Sequence, residues 1–338
     1  PLAEVTQVKG DGEAHPFLSP NDEFANYETW DFDNIGRTQA KEDWMLKHEY
    51  ARGALKLGLQ YQSRLGANPF KFGMIGSTDG HNSLSTTQED NFFGKFPESE
   101  PSKARTKNAM ANNRLWQNWR IVSSGYAAVW ATENTRAALF DAMKRREVYA
   151  TTGSRITVRF FGGWEYTQAD LEQPNYLDIA FNRGVPMGGD LIAERPGKTP
   201  TFMVMAAKDP DGANLDRIQI IKGWVGKDGQ SHEQIYDVSW SGQRQPDPNT
   251  GKLPSVGSTV NVDLATFSNT IGAPQLGVVW SDPSFDPAQR AFYYARVLEI
   301  PRPRWTAYDA AYFDMDLSPE VPLVIQDRAY TSPIWYTP

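Results

Sequence analysis

Cysteine is absent from this chain of 338 residues, which excludes disulfides, thiolate nucleophiles and thiolate metal sites together. Histidine is nearly as scarce. Any imidazole chemistry must use one of four residues, His15, His48, His81 or His232. No apolar run approaches the ~18–20 residues that span a bilayer, and no N-terminal segment has the charged, apolar and small-residue order of a signal peptide. Basic charge is not in excess either: the formal net charge is −7, which argues against a nucleic-acid partner. Phosphate-binding GxxxxGK[ST] loops, HExxH and GxSxG are all missing. A Ser/His/Asp triad would have to use His81 or His15, and neither has a serine in an evident elbow.

The organisation that remains is two-part. Up to about residue 150 the chain mixes helical and strand signals. "EVTQV" alternates like a short strand, and the polar loop "KGDGEAHPFLSPNDE" follows it. "KEDWMLKHEYARGALKLGLQYQSRL" has the spacing of an amphipathic helix, which "GANPF" should stop before the strand "FKFGMIGS". Strand, loop, helix and strand in that order suit a parallel α/β layer. "ATENTRAALFDAMKRREVYATTG" predicts a helix with Thr132 as its N-cap, turning into a strand. From 151 to 338 the segments "YLDIAF", "TFMVMAA", "RIQIIKGWV", "EQIYDVSW", "STVNVDL", "QLGVVW", "RAFYYARVLEI" and "AYTSPIWY" alternate with turn chemistry, which predicts an antiparallel β-sandwich. The fold class expected is therefore α/β plus all-β, with domains at 1–150 and 151–338.

Two clusters in the first part carry possible chemistry. In "KFGMIGSTDGHN" an apolar strand ends in Asp79, Gly80 and His81, and residues just past such a strand enter the crevice where parallel α/β layers bind ligands. A carboxylate and an imidazole on one point make half of a metal site. They can equally cap a turn and bond a carbonyl. In "KGDGEAHP" the residues Asp11, Glu13 and His15 alternate, again after a strand; a solvated acidic loop is the other reading. Glu4, inside the first strand, could face either the same crevice or a neighbouring salt bridge. His48 reads as a surface residue of a helix and His232 as a solvated hairpin residue. The run "KDPDGANLD" lacks the twelfth-position Glu of a calcium loop and reads as a turn closed by Asx hydrogen bonds.

Taken together, "KGDGEAHP", "NPFKFGMIGSTDGHN", "REVYATTGSRITVRFFGGW", "PMGGDL", "KDPDGANLDRIQIIKGW", "FYYARVLEIPRPRW" and "RAYTSPIWYTP" resemble the bacterial domain-of-unknown-function family 3604. That family is related to the polymerase-and-histidinol-phosphatase (PHP) superfamily. The resemblance implies a PHP-like distorted β/α barrel, here only in part, followed by the β-sandwich. It implies two or three divalent ions of zinc, manganese or iron at the strand ends, used to hydrolyse a small-molecule phosphoester or related ester. The Asp-x-His pair that closes the PHP motif set maps onto Asp79 and His81. Glu13, and after it His15, would lie on the same rim as further metal ligands. No catalytic or substrate-binding residue beyond these is singled out. The family's N-terminal segment, with a motif like Gly-Asp-Leu-His-x-His-Thr, is not found here, so a segment of the same protein upstream of Pro1 is the expected partner. A periplasmic or secreted location follows from the same resemblance. The other class of reading is a non-catalytic sandwich that binds a glycan or a cell-envelope partner through its tryptophans, with Trp164, Trp224, Trp240 and Trp335 weighed as core residues against that role.

Overall fold

Leu2–Gln7 forms the first strand, β1, and a tight turn returns the chain as β2 (Gly10–Asp11). The computed structural model describes residues 1–34, 38–107, 117–193 and 197–338. The predicted helix from Lys41 is interrupted: α1 covers Asp43–Leu46, α2 covers Ala51–Leu65, and His48 is exposed in the break between them. Leu55 and Leu59, one turn apart, bury completely, each stabilising by about 1.5–3 kcal/mol. Gly66 ends α2 with φ +78°, a backbone that a Cβ would strain. β3 (Gly73–Gly76) then lies parallel to β1, with Glu4 opposite Ile75, so both strands point their C-terminal ends the same way.

β4 (Tyr126–Val129), α3 (Arg136–Lys144) and β5 (Val148–Thr151) follow. The cap of α3 is Thr135, whose hydroxyl accepts from the Ala138 N–H, and not Thr132. β6 (Thr157–Gly163), α4 (Gln168–Leu171), α5 (Tyr176–Arg183), β7 (Gly184–Pro186), β8 (Asp190–Ile192) and β9 (Thr201–Ala207) come next. "YLDIAF" was expected as a strand and is α5: its apolar residues at 176, 177, 179 and 180 fit one helical face better than two strand faces. β10 (Leu215–Val225), β11 (Ser231–Trp240), β12 (Gln275–Ser281) and β13 (Ala291–Glu299) are the long strands. "STVNVDL" is not a strand; one isolated bridge, Asn261 to Thr266, is its ladder content, on an exposed loop with no apolar face to bury. The end of the chain carries β14 (Arg302–Pro303), α6 (Trp305–Phe313), β15 (Val324–Ile325), β16 (Arg328–Thr331) and β17 (Ile334–Thr337). Pro333, with no N–H to donate, separates the last two.

An eight-stranded sheet runs β11-β10-β13-β16-β5-β4, with β17 beside β13 and β8 beside β17; β12-β9-β6-β7 form a second sheet. Phe160, Phe202, Val204, Ile218, Tyr293 and Val297 pack between them as a sandwich core. The opposite face of the large sheet is covered by α2, β1 and β3 through Leu55, Leu59, Val5 and Met74. Covered on both faces, β13 is buried at every position, Arg296 and Glu299 included, so it reads mostly apolar with no alternation. β5 straddles the expected boundary at 150 and pairs with β16, so one sheet crosses it. Among the described residues no sheet closes into a barrel: the parallel pairing of the first part is β1 with β3, in a three-stranded sheet.

Candidate functional site

The parallel pairing of β1 and β3 continues past their ends, where the Val8 N–H donates to the Thr78 carbonyl (3.1 Å). The next residue on one strand is Lys9 and on the other Asp79. Asp79 adopts a left-handed backbone, φ +52°, which turns the chain sharply. Its carboxylate receives Lys9 Nζ and, at 2.5 Å, Lys95 Nζ on Oδ2, while His81 Nε2 lies 2.9 Å from Oδ1. Lys95 Nζ also reaches the Asp79 carbonyl (2.9 Å) and lies 3.2 Å from His81 Nε2. The His81 N–H bonds the Lys95 carbonyl (2.8 Å), and its ring meets Phe96 edge-on at 5.0 Å. Burial alone would raise the Asp79 pKa, but the bonds from Lys9, Lys95 and His81 outweigh it and hold the carboxyl well below the usual carboxylate range. Lys95 moves down from the ordinary lysine value, first through burial and then through the charge of Lys9, against the pull of Asp79. His81 keeps a 49% exposed side chain, so the centre is open to solvent on the imidazole side.

Lys9 also lines a cleft of about 360 Å³ at the C-terminal ends of these strands, with Glu4, Asp11, Trp30, Lys41 and Tyr50 around it. Glu4 faces this crevice, as one reading of the sequence had it, and accepts a hydrogen bond from the Ser77 hydroxyl. Asp11 is pushed up to about 7 by burial and then by the neighbouring Glu13 charge.

Glu13 does not join the Asp79 centre. It is 1% exposed, and its oxygens accept from Arg52 (Nη2, 2.6 Å), the Tyr294 hydroxyl and Arg296 (Nη1, 3.3 Å). The segment is not extended there: β2 ends at Asp11 and the chain bends at Glu13, whose carboxylate turns towards Arg52 of α2 and Arg296 of β13. His15 is separate as well. It accepts the Phe17 N–H on Nδ1 (3.1 Å), which leaves Nε2 as the protonated nitrogen facing Asp31 at 3.1 Å. The remaining histidines are structural or exposed: His48 is bare to solvent, and His232 stacks on Trp224 (5.4 Å) beside Asp228. Asp209 closes its turn by accepting the Asp211 N–H (3.1 Å). Trp335 (1% exposed) and Trp164 (9%) are core residues, and Trp224 and Trp240 are half-buried.

Residues 1–338 match the model of the family described as Protein of unknown function (DUF3604). The chain belongs to that family. No curated protein and no solved structure matches it.

For this DUF3604 chain the donor set decides how far a divalent cation would fit. Asp79 and His81 are suitable in kind and face one another, and the carboxylate is ionised. They are two donors, and among the described residues no group of three His, Asp or Glu converges on one point. Asp79 and His81 are metal ligands by residue type, but Oδ2 is held by Lys9 and Lys95 and Oδ1 faces His81 Nε2, so a cation there would have to displace these contacts and find further donors. Sequence reasoning missed Lys9 and Lys95. Lysines in polar loops read as solvated, and the only local hint was the apolar setting of "NFFGKF" around a lysine that is 5% exposed.

Proposed function

We propose that this chain contributes to a metal-dependent hydrolase centre of the PHP-like type, acting on a phosphoester or related ester. The observation that carries the reading is the meeting of Asp79, His81, Lys9 and Lys95 at the C-terminal ends of the parallel strands β1 and β3. Asp79 and His81 would hold one divalent ion, zinc, manganese or iron, and other donors would complete its shell. Such an ion, when bound, supplies a water of lowered pKa. Lys9 and Lys95 place two ammonium groups where an ester anion would sit beside the cleft, offsetting its charge and orienting it. The edge-on ring of Phe96 fixes the His81 imidazole. Glu13 has no part in this site, because its carboxylate is committed to Arg52 and Arg296.

Elemental analysis and a phosphoester and sulfate-ester panel test the reading together. Near-stoichiometric transition metal that falls at least about tenfold in Asp79→Ala or His81→Ala, with hydrolysis lost in parallel, is the expected result. Metal content and hydrolysis unaffected by both substitutions would remove Asp79 and His81 from the mechanism.

A further inference from the structure

The segment 89–105 carries Lys95 and Phe96 to the Asp79 centre and is fastened at both ends. At one end Arg105 forms a buried pair with Asp309 of α6 (Nη2 to Oδ1, 2.6 Å). At the other, Glu89 opens a short 3-10 turn, Glu89–Asn91, and its Oε2 accepts the Trp305 backbone N–H at the start of α6 (2.5 Å). Glu89 Oε1 is buried with no partner, and so are both carboxyl oxygens of Glu299 at the end of β13. An ionised carboxylate in such a place would give up most of its water for few donors, the Trp305 N–H for Glu89 and the nearby Ser154 hydroxyl for Glu299.

The surrounding charges do not offset this. Asp327 feels both glutamates, and its Oδ2 already takes the Arg302 guanidinium (Nε, 2.7 Å), while Oδ1 accepts from Thr152 (2.5 Å) and Tyr27 (3.2 Å). Arg304 is paired with Glu28 (2.9 Å), and Arg155 with Asp209, which itself faces Glu299. Arg328 lies over the Tyr27 ring (3.8 Å), and the remaining titratable neighbours of the Glu89 turn, Asp90 and Tyr308, bring no positive charge. Glu89, Glu299 and Asp327 therefore depend on Arg302, already bonded to Asp327, with Arg304 acting on Glu89 from its pair with Glu28.

We propose that Glu89 and Glu299 form a proton-operated clasp. Protonated, Glu89 keeps the 89–105 segment seated on the start of α6, while Glu299, on the other side of Asp327 and Arg302, adds no further negative charge. Ionised, they release the segment, and Lys95 and Phe96 leave Asp79 and His81 with it. The clasp itself is independent of whether the Asp79 centre hydrolyses anything.

Burial pushes both carboxyls up to about 8; the Asp327 charge comes next for Glu89, whereas for Glu299 the pull of Arg302 opposes burial and exceeds the push of Asp327. In an opened segment they would hydrate and return to the ordinary range. Closure is therefore complete below that ordinary range and weakens as the pH rises towards about 8, with opening favoured about tenfold per pH unit for each proton released.

Hydrogen exchange on the whole chain, read by mass spectrometry at about pH 6 and about pH 8, tests this without activity or metal. After correction for intrinsic exchange, peptides from 89–105 should open at least about tenfold more at the higher pH, while β10 and β13 peptides stay unchanged. The double variant Glu89→Gln/Glu299→Gln should open equally at both. A wild-type segment indifferent to pH, or a double variant that keeps the dependence, overturns the clasp. Should the double variant not fold, Glu299→Gln alone must lower the pH slope. Infrared spectra of the wild type must also show protonated carboxyl at neutral pH, and its absence is equally fatal.

Discussion

Two buried clusters of charge lie on opposite accounts in this fold. Against α2, Glu13, Asp22 and Glu233 meet Arg52, Arg296 and Lys56, three carboxylates with three cations. Beside α6, Glu89, Glu299 and Asp327 meet Arg302. In the first cluster burial would raise the Asp22 pKa, yet Arg296 and Arg52 drive it far below the carboxylate range. In the second, burial wins and two carboxyls stay protonated near neutrality. The same side chain is thus a permanent ion in one place and a proton store in the other. What differs is contact: Arg52 and Arg296 bond Asp22 directly, whereas Arg302 bonds Asp327 and reaches Glu89 and Glu299 only through space.

Removing a cation from the balanced cluster should have the largest effect. Arg296→Met would leave Glu13 and Asp22 buried with Arg52 as their one shared cation and cost about 3–5 kcal/mol, measured by urea unfolding. A loss under about 1 kcal/mol would mean that water reaches the cluster and the contrast is false.

The pH dependence of stability comes next, and the two clusters have opposite signs. Asp22, depressed when folded, adds stability that is present above the ordinary carboxyl range and lost as the pH falls towards its folded value. Glu89 and Glu299, raised when folded, add stability that is present in acid and lost as the pH rises to about 8, by up to about 1.4 kcal/mol per pH unit for each group. Chemical denaturation across this range should show that slope in the wild type and a flatter one in Glu89→Gln/Glu299→Gln. A double variant as steep as the wild type would assign the slope to other groups.

The smallest effect belongs to the rim. The Asp79 carboxylate resembles the balanced cluster in its two ammonium partners, but its side chain is 25% exposed, so water screens it. Lys95→Met should move the Asp79 pKa up towards the ordinary value, observed in a carbon-detected NMR titration, with little change in unfolding. An unmoved Asp79 would show that Lys9 and His81 suffice.

How much of this was legible depended on distance along the chain. Asp79 and His81 stand two residues apart after an apolar strand, and their meeting could be read directly. Glu13 was legible as a chemically significant residue and misplaced, because its partners Arg52 and Arg296 lie 39 and 283 residues away. Alternation assumed an extended segment, whereas the chain bends at Glu13, and it could not tell which element would cover that side chain. Lys9 and Lys95 gave no signal for the same reason. "YLDIAF" misled because a short apolar run suits either period, and the neighbours that chose the helix come from other strands. The barrel expected for the first part rested on resemblance, and the strands described supply one parallel pair.

By itself the sequence determined the family, the lack of any thiol chemistry, most of the long strands and the Asp79–His81 pair. Each of these is a matter of composition or of neighbours a few residues apart. The tertiary structure decided which charges are paired, which carboxyls keep their protons and which lysines face Asp79. Those depend on burial and on ions brought together from distant segments, where the energy of a charge is set by its surroundings rather than by its place in the chain.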